Sequence, residues 1–242
     1  IISSIIGLFE SITTTVKNDD EEITTVLEGN NPEINSLNID LKLSNLVIES
    51  GDKLVVKTDR DYIKIKKNNN KVTIKEKNHI TKDRYILVIT VPSTMFEEVN
   101  IETGAGSVQI EKLITNKLNI DLGAGKLNID YLEVASHADI DGGAGKITIN
   151  DGKINNFDLD IGAGETNIKS ALFGKSEIDC GVGNLNLNLI GNLSNYKFDI
   201  EKGIGTIQVN ENSIAGNGIV GEGNNEIEID GGVGSIKIKT DK

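Results

Sequence analysis

The chain has 242 residues, 37% hydrophobic and only 4% aromatic, with no tryptophan, so it is long enough for one large domain or two small ones, and its core has to be aliphatic. A formal net charge of −12, with arginine only at Arg60 and Arg84, argues against nucleic acid as a partner and disfavours an anionic membrane surface. The single cysteine, Cys180, excludes an intrachain disulfide framework and a multi-cysteine metal site.

At the start of the chain Ile1, Ile2, Ile5, Ile6, Phe9, Ile12 and Val16 recur at near-helical spacing. The stretch is too short, and after Glu10 too polar, to span a bilayer. It predicts a short N-terminal amphipathic helix that covers the open first coil of the domain behind it; a membrane-proximal stub is the alternative reading. The first residue is Ile1 rather than methionine, which is compatible with a signal or membrane anchor upstream of Ile1. Residues 1–35 are therefore read as a leader and capping segment, and residues 36–242 as one repeat domain.

The repeat domain opens with LNIDLKLSNLVIE, Leu37 to Glu49, an alternating frame in which Lys42, Leu43 and Ser44 occupy a corner slot. Leu54–Lys57, Tyr62–Lys66, Lys71–Lys75 and Tyr85–Val91 alternate as strands, and Pro92 closes the last of them. These read as irregular coils over residues 36–100. Regular coils follow over 101–242, where Gly-x-Gly begins in one frame at Gly104, Gly123, Gly143, Gly162, Gly181, Gly203 and Gly232.

Superimposing the seven copies gives columns with distinct chemistry. Ile101, Ile120, Ile140, Leu159, Ile178, Ile200 and Ile229 precede the corner, and Ile110, Ile129, Ile149, Ile168, Leu187, Val209 and Ile238 follow it. Both columns are expected to face inward. Ala105, Ala124, Ala144, Ala163, Val182, Ile204 and Val233 stand between the glycines and are expected to fill the bend. The pattern predicts an all-β fold: a single-stranded right-handed parallel β-helix (β-solenoid) of about 20 residues per coil.

The outward positions before the corner are Asn100/Glu102, Asn119/Asp121, Asp139/Asp141, Asp158/Asp160, Glu177/Asp179, Asp199/Glu201 and Glu228/Asp230, twelve of the fourteen acidic. Residues i and i+2 share a strand face, so two carboxylate columns run side by side. Neighbouring carboxylates repel by about 1 kcal/mol in water, which requires an offset. The first expectation is that Asp121, Asp141, Asp160 and Asp179 accept hydrogen bonds from corner N–H groups. Alternatively, divalent cations such as Ca²⁺ bridge the coils through Asp139, Asp141, Asp158, Asp160 and Asp179, or the acidic face attracts a basic partner. No other cofactor is implied.

After the corner the outward column is uncharged, with Gln109, Asn128, Thr148, Asn167, Asn186 and Gln208, and ends in Lys237. Stacked amides support one another along such a column; a ligand-reading polar face is the other reading. Cys180 shares a column with Leu122 and Ile161 and reads as core. With only His79 and His137, no histidine triad or metal cluster is present, and no catalytic residue is assigned.

Gly216 to Gly221 matches the dinucleotide-binding glycine pattern but neither follows a βαβ unit nor precedes a helix. It belongs to an insertion between Asn210 and Glu226 that suits a specific contact or an idle Gly-rich loop. The final SIKIKTDK, Ser235 to Lys242, reads as an open edge on which Lys237 and Lys239 discourage end-to-end stacking, predicting a monomer or a weak dimer that does not elongate.

The Gly-Ala-Gly repeats in alternating Ile/Asp strands, the cryptic first copy and the segment ILVITVPSTMFEEVNIETGAGSVQI, Ile86 to Ile110, resemble the bacterial "putative adhesin" domain family of unknown function. The resemblance covers Leu37 to Lys242 and implies a right-handed β-helix associated with the cell envelope or a membrane anchor, with no catalytic motif. It points to a non-enzymatic binding or scaffold module, cell-envelope-associated or extracellular, with an unknown surface protein or glycan as partner. A polysaccharide lyase or glycosidase built on paired carboxylates is a second reading, and a regulatory scaffold in envelope-stress signalling a third.

Overall fold

The computed structural model describes residues 15–17, 23–26, 34–58, 62–77 and 86–241. Two short strands, β1 (Thr15–Lys17) and β2 (Ile23–Val26), come first. They are followed by β3 (Ser36–Leu41), β4 (Asn45–Gly51), β5 (Val55–Thr58), β6 (Ile63–Asn68), β7 (Lys71–Glu76) and β8 (Ile86–Pro92). The Gly-x-Gly coils occupy β9 (Phe96–Ile149), β10 (Gly152–Asn155), β11 (Phe157–Phe173), β12 (Lys175–Asn192) and β13 (Tyr196–Val209). Last come β14 (Asn212–Ile214), β15 (Gly218–Val220) and β16 (Asn225–Asp241).

The fold is all-β, an unclosed, solenoid-like sheet; a single 3-10 turn at Leu193–Asn195 is the sole helical element among the described residues. Of the helix expected over Ile1 to Val16, residues 1–14 lie outside the described residues, and Thr15–Lys17 is a strand. His79, Arg60 and Arg84 also lie outside them. Among the described residues no helix is long and apolar enough to cross a membrane.

Alternation places one aliphatic side chain of each rung inside, and parallel register stacks it on its counterpart in the next rung. Ile140, Leu159, Ile178, Ile229 and Ile200 pair one on the next, as do Ile149, Ile168, Leu187, Ile238 and Val209. All are buried, and with Ile101, Ile120, Ile110 and Ile129 they form a continuous core. β-branched and aliphatic residues suit a pleated, covered surface, each contributing about 1.5–3 kcal/mol on full burial.

The corners require glycine because neighbouring coils touch there through their backbones. Gly145 has φ +149°, and a Cβ on it would lie 1.8 Å from the carbonyl oxygen of Gly125; Gly164 and Gly183 repeat that geometry. Backbone thereby fills the inside of the bend. This corrects the expectation for the residue between the glycines, which points outward instead: Val182 is 57%, Ile204 76% and Val233 49% exposed.

Both ends depart from stacking in chain order. At the front, β7 and β8 pair in parallel with β3 and β4, which in turn pair with β9, so the first coil in sequence is an inner coil in space. β5 and β6, expected as irregular coils, pair antiparallel with β8 and β7 and close that end together with β2 and β1. At the back, β16 lies between β12 and β13. The expected open edge at Lys237 and Lys239 is therefore an interior strand, and β13 is the end rung. Its outer side carries β15 at Phe198–Ile200 and β14 at 207–209, both antiparallel, so the Gly-rich insertion is a cap rather than an idle loop.

Candidate functional site

The same parallel register that stacks the core stacks the outward residues. Asp139, Asp158, Glu177, Glu228 and Asp199 pair in one column, and Asp141, Asp160, Asp179, Asp230 and Glu201 in the column beside it. Adjacent rungs of a parallel sheet are about 4.8 Å apart, so each carboxylate has like-charged neighbours along the column and across it. The residues expected from the sequence are brought together, with one difference: the last two rungs exchange places because β16 precedes β13 in space.

The two ends of the ladder are compensated differently from its middle. At the front the outer column turns into amides, where Asn119 donates to Asn100 and Asn100 to Asn38 at 2.6 and 2.9 Å. The inner column is met there by lysines: Lys42 Nζ lies 2.8 Å from Asp40 and 3.9 Å from Glu102, and Lys75 Nζ 3.2 Å from Asp40. The hydrogen bond from Lys42 holds the Asp40 carboxyl below the usual carboxylate range. Toward the back, Lys175 reaches Glu228 at 3.5 Å. Between them, Asp158 has His137 Nε2 at 3.8 Å, while Asp121, Asp139, Asp141, Asp160 and Asp179 have no ion-pair partner among the described residues.

Repulsion is concentrated in that middle. Partial burial, followed by Asp139, Asp160 and Asp121, pushes the Asp141 carboxyl above its ordinary value. Partial burial, then Asp230 and Glu177, does the same to Asp179, whose Oδ1 is buried without a hydrogen-bond partner. Asp160, Asp179, Asp230 and Glu201 line one shallow groove along the corner. Among the described residues no group of three or more His, Cys, Asp or Glu is arranged to hold a metal ion.

The corner hydrogen bonds expected for Asp121, Asp141, Asp160 and Asp179 are not formed. Corner N–H groups are taken by the neighbouring coil, as where Ala105 N donates to Lys42 O at 2.9 Å. The acid that does take corner N–H groups is Glu76, which the sequence reading passed over. Its Oε2 accepts from the N–H groups of Lys42, Leu43 and Ser44 at 2.7, 3.1 and 3.2 Å, closing the front face where no further corner exists to supply a carbonyl. A signal for it was present: Glu76 continues the inward phase of Val72 and Ile74.

After the corner the amide column is in place. Asn186 pairs with Asn167 and donates to its Oδ1 at 2.9 Å, and Asn167 donates to Glu165 at 2.8 Å. Cys180 pairs with Ile161 and packs against the core but is only partly covered; burial pushes its thiol up to about 11, far from a reactive thiolate. Gly216 to Gly221 contributes to β15 and starts no helix.

A family profile described as Toastrack DUF4097 matches residues 34–217. No curated protein matches the chain. Among solved structures the chain is similar to a "putative cell adhesion protein" from Clostridium sporogenes, at 17% identity over 91% of this chain and 99% of that one with TM-score 0.39. It is also similar to a "putative adhesin" from Bacteroides fragilis, at 15% identity over 91% and 98% with TM-score 0.37, and to one from Parabacteroides merdae, at 16% identity over 94% and 99% with TM-score 0.36.

Proposed function

The chain belongs to the Toastrack DUF4097 family, and we propose that it is a non-enzymatic binding or scaffold module of the cell envelope, wound right-handed in coils of about 20 residues, whose working surface is the acidic ladder. The observation that carries this reading is the uncompensated middle of that ladder. Folding needs the inward columns; it does not need Asp139, Asp141, Asp158, Asp160 and Asp179 opposed in register with no lysine among them. A surface kept at an electrostatic cost is one that a positively charged partner relieves. The partner class is a surface protein presenting a basic segment.

Divalent cations are the second reading, supported by the unpartnered Asp179 Oδ1 and by the hard oxygen chemistry of the column. Asp139, Asp141, Asp158, Asp160 and Asp179 would supply the oxygens for Ca²⁺. The hydrolase reading has less support. Glycoside hydrolysis uses one carboxyl pair set apart across a cleft, whereas the two raised carboxyls, Asp141 and Asp179, are separated by the Asp160 rung of a uniform column.

The test measures binding of an oligolysine peptide, and thermal unfolding with and without millimolar Ca²⁺, for the wild type and an Asp141→Asn/Asp160→Asn variant. Oligolysine binding that weakens in the variant and with added salt supports the basic-partner reading. A Ca²⁺-dependent rise in Tm confined to the wild type supports the cation reading. Neither effect in the wild type removes the ladder as the working surface.

A further inference from the structure

The face that carries the ladder does not stay acidic to its front edge. In register, Lys64 pairs with Lys75, Lys75 with Asp40 and Asp40 with Glu102, so the inner column runs forward into two lysines; Lys66, Thr73, Asn38 and Asn100 pair in the same order in the outer column. Residues 62–77 hold six lysines and one acid, Glu76, which is spent on corner N–H groups. Lys64, Lys66 and Lys75 are exposed. One strand face of a chain with net charge −12 is thus basic at its front edge, amide-bearing behind it and acidic in both columns from Asp139 and Asp141 onward.

The two signs do not relieve each other within one copy. Five strand steps, from Lys64 through Lys75, Asp40, Glu102 and Asp121 to Asp141, span about 24 Å at the spacing of adjacent strands. Charges more than about 10 Å apart are largely screened at 0.1 M salt. Lysines on an edge strand discourage further pairing, but that role sets no order between them and distant carboxylates. A groove of about 240 Å³ runs along the face over the same span, from Thr73 and Lys75 to Asp139 and Asp141.

We propose that this face binds a second copy of the chain, the two laid face to face about a two-fold axis parallel to the strands. This rests on the reading of the ladder as a surface for a basic segment, and the segment is Lys64 and Lys66 of the other copy. Such an axis reverses the order of the strands and keeps each column over its own counterpart. With the axis between the strands of Asp40 and Glu102, Lys64 meets Asp141, Lys66 meets Asp139 and Lys75 meets Asp121, each contact occurring twice. Asn38 meets Asn100, amides that donate and accept alike. The acids nearest the axis, Asp40 and Glu102, already have Lys42 at 2.8 and 3.9 Å. Both copies use the same patch, so the assembly closes at two. The interface is small and both copies carry net negative charge, so the pair is weak and reversible, with local charge setting its register.

The experiment follows sedimentation over a protein concentration series at about 0.1 M salt. It compares the wild type with Lys64→Glu/Lys66→Glu, with Asp139→Lys/Asp141→Lys and with an equal mixture of the two variants. The expected result is a monomer–dimer equilibrium for the wild type, about tenfold or greater weakening for each variant alone, and dimers again in the mixture, where every contact regains opposite charges. Circular dichroism and Tm verify folding; Asp139→Asn/Asp141→Asn, also expected to weaken the pair, takes the place of the acid-to-lysine variant if that one does not fold. A wild type that stays monomeric, assemblies larger than a dimer, undiminished association of either folded variant, or a mixture that stays monomeric overturns the proposal. Oligolysine bound by a monomeric wild type would overturn the second copy and leave the ladder as the working surface, whereas failure of both removes the two readings together.

Discussion

Glu76 meets three backbone N–H groups with one carboxylate oxygen, and two of its three donors belong to residues with water nearby, Lys42 and Leu43, while Ser44 is buried. Hydrogen bonds to a charged acceptor are stronger than neutral ones, and a buried donor left without one costs about 1–3 kcal/mol. Glu76→Ala is therefore expected to lower the unfolding free energy by about 2–4 kcal/mol, and Glu76→Gln, which keeps an acceptor oxygen, by about 1–2 kcal/mol. Urea denaturation of both variants measures this, and equal losses would mean the oxygen is not what matters. The ladder acids act with the opposite sign. Asp141 and Asp179 have folded-state values raised above the unfolded one, so both carboxylates burden the native state at neutral pH. That burden is relieved as pH falls from 7 through the folded values toward the unfolded value near 4. Asp40 and Glu165, whose values are lowered, contribute stability that is present above the unfolded value and lost as pH falls further. Acidification from pH 7 to about 4.5 is thus expected to raise Tm. The Asp141→Asn/Asp179→Asn variant should start about 2 °C higher at pH 7 and show a flatter profile, since exposed repulsions of this kind are worth under about 1 kcal/mol. A wild-type Tm that falls steadily over that window contradicts the assignment.

The strands β14 and β15 show how an end is closed. Ile214 pairs with Ile207 and Val220 with Phe198, so two short antiparallel strands cover residues 198–200 and 207–209 of the outer edge of β13 and obstruct the side on which another parallel rung would add. Replacing residues 212–220 with a Gly/Ser linker is expected to leave the coil stack folded but to make it self-associate, seen as concentration-dependent sedimentation; sedimentation unchanged from the wild type would show that the cap does not protect the edge. The coils themselves were legible in the sequence because their signal is local. Alternation sets Ile140 and Ile149 inward, and repetition sets Leu159 and Ile168 upon them. The carboxylate columns were legible for the same reason. What was not legible depends on which distant strand pairs with which. Alternation within Lys71–Glu76 does not say that it joins β3 in parallel and β6 antiparallel, nor does a Gly-x-Gly frame state its place in the stack. The outward turn of Val182 and Ile204 was hidden as well, because it follows from how closely the backbones approach at the corner. One residue did carry a signal: Glu76 sits in an inward phase that calls for a buried partner.

At the scale of the whole molecule, the exchanged end rungs alter how the stack can open. In a repeat array laid down in chain order each unit contacts only its neighbours, and the last unit frays first because it has one interface to lose. Here the C-terminal strand β16 has two, with β12 and with β13. The chain end cannot peel away without breaking both ladders. At this end of the stack the rung with one parallel interface is β13, and its corner, residues 201–206, lies between the segments paired with β15 and β14 and has no strand on its outer side among the described residues. Native-state hydrogen exchange should invert the order expected of a simple array. The amides of Ile227, Ile229, Ile236 and Ile238, although close to the chain end, should exchange as slowly as those of Ile168 and Leu187 in the interior. Amides of residues 201–206, well inside the chain, should exchange faster by about 10-fold or more, the effect of losing roughly 1.4 kcal/mol or more of local protection. If the β16 amides instead exchange first and those of β13 last, the strand order β12, β16, β13 is wrong, and with it the placement of Lys237 and Lys239 beside Asn186 and Gln208.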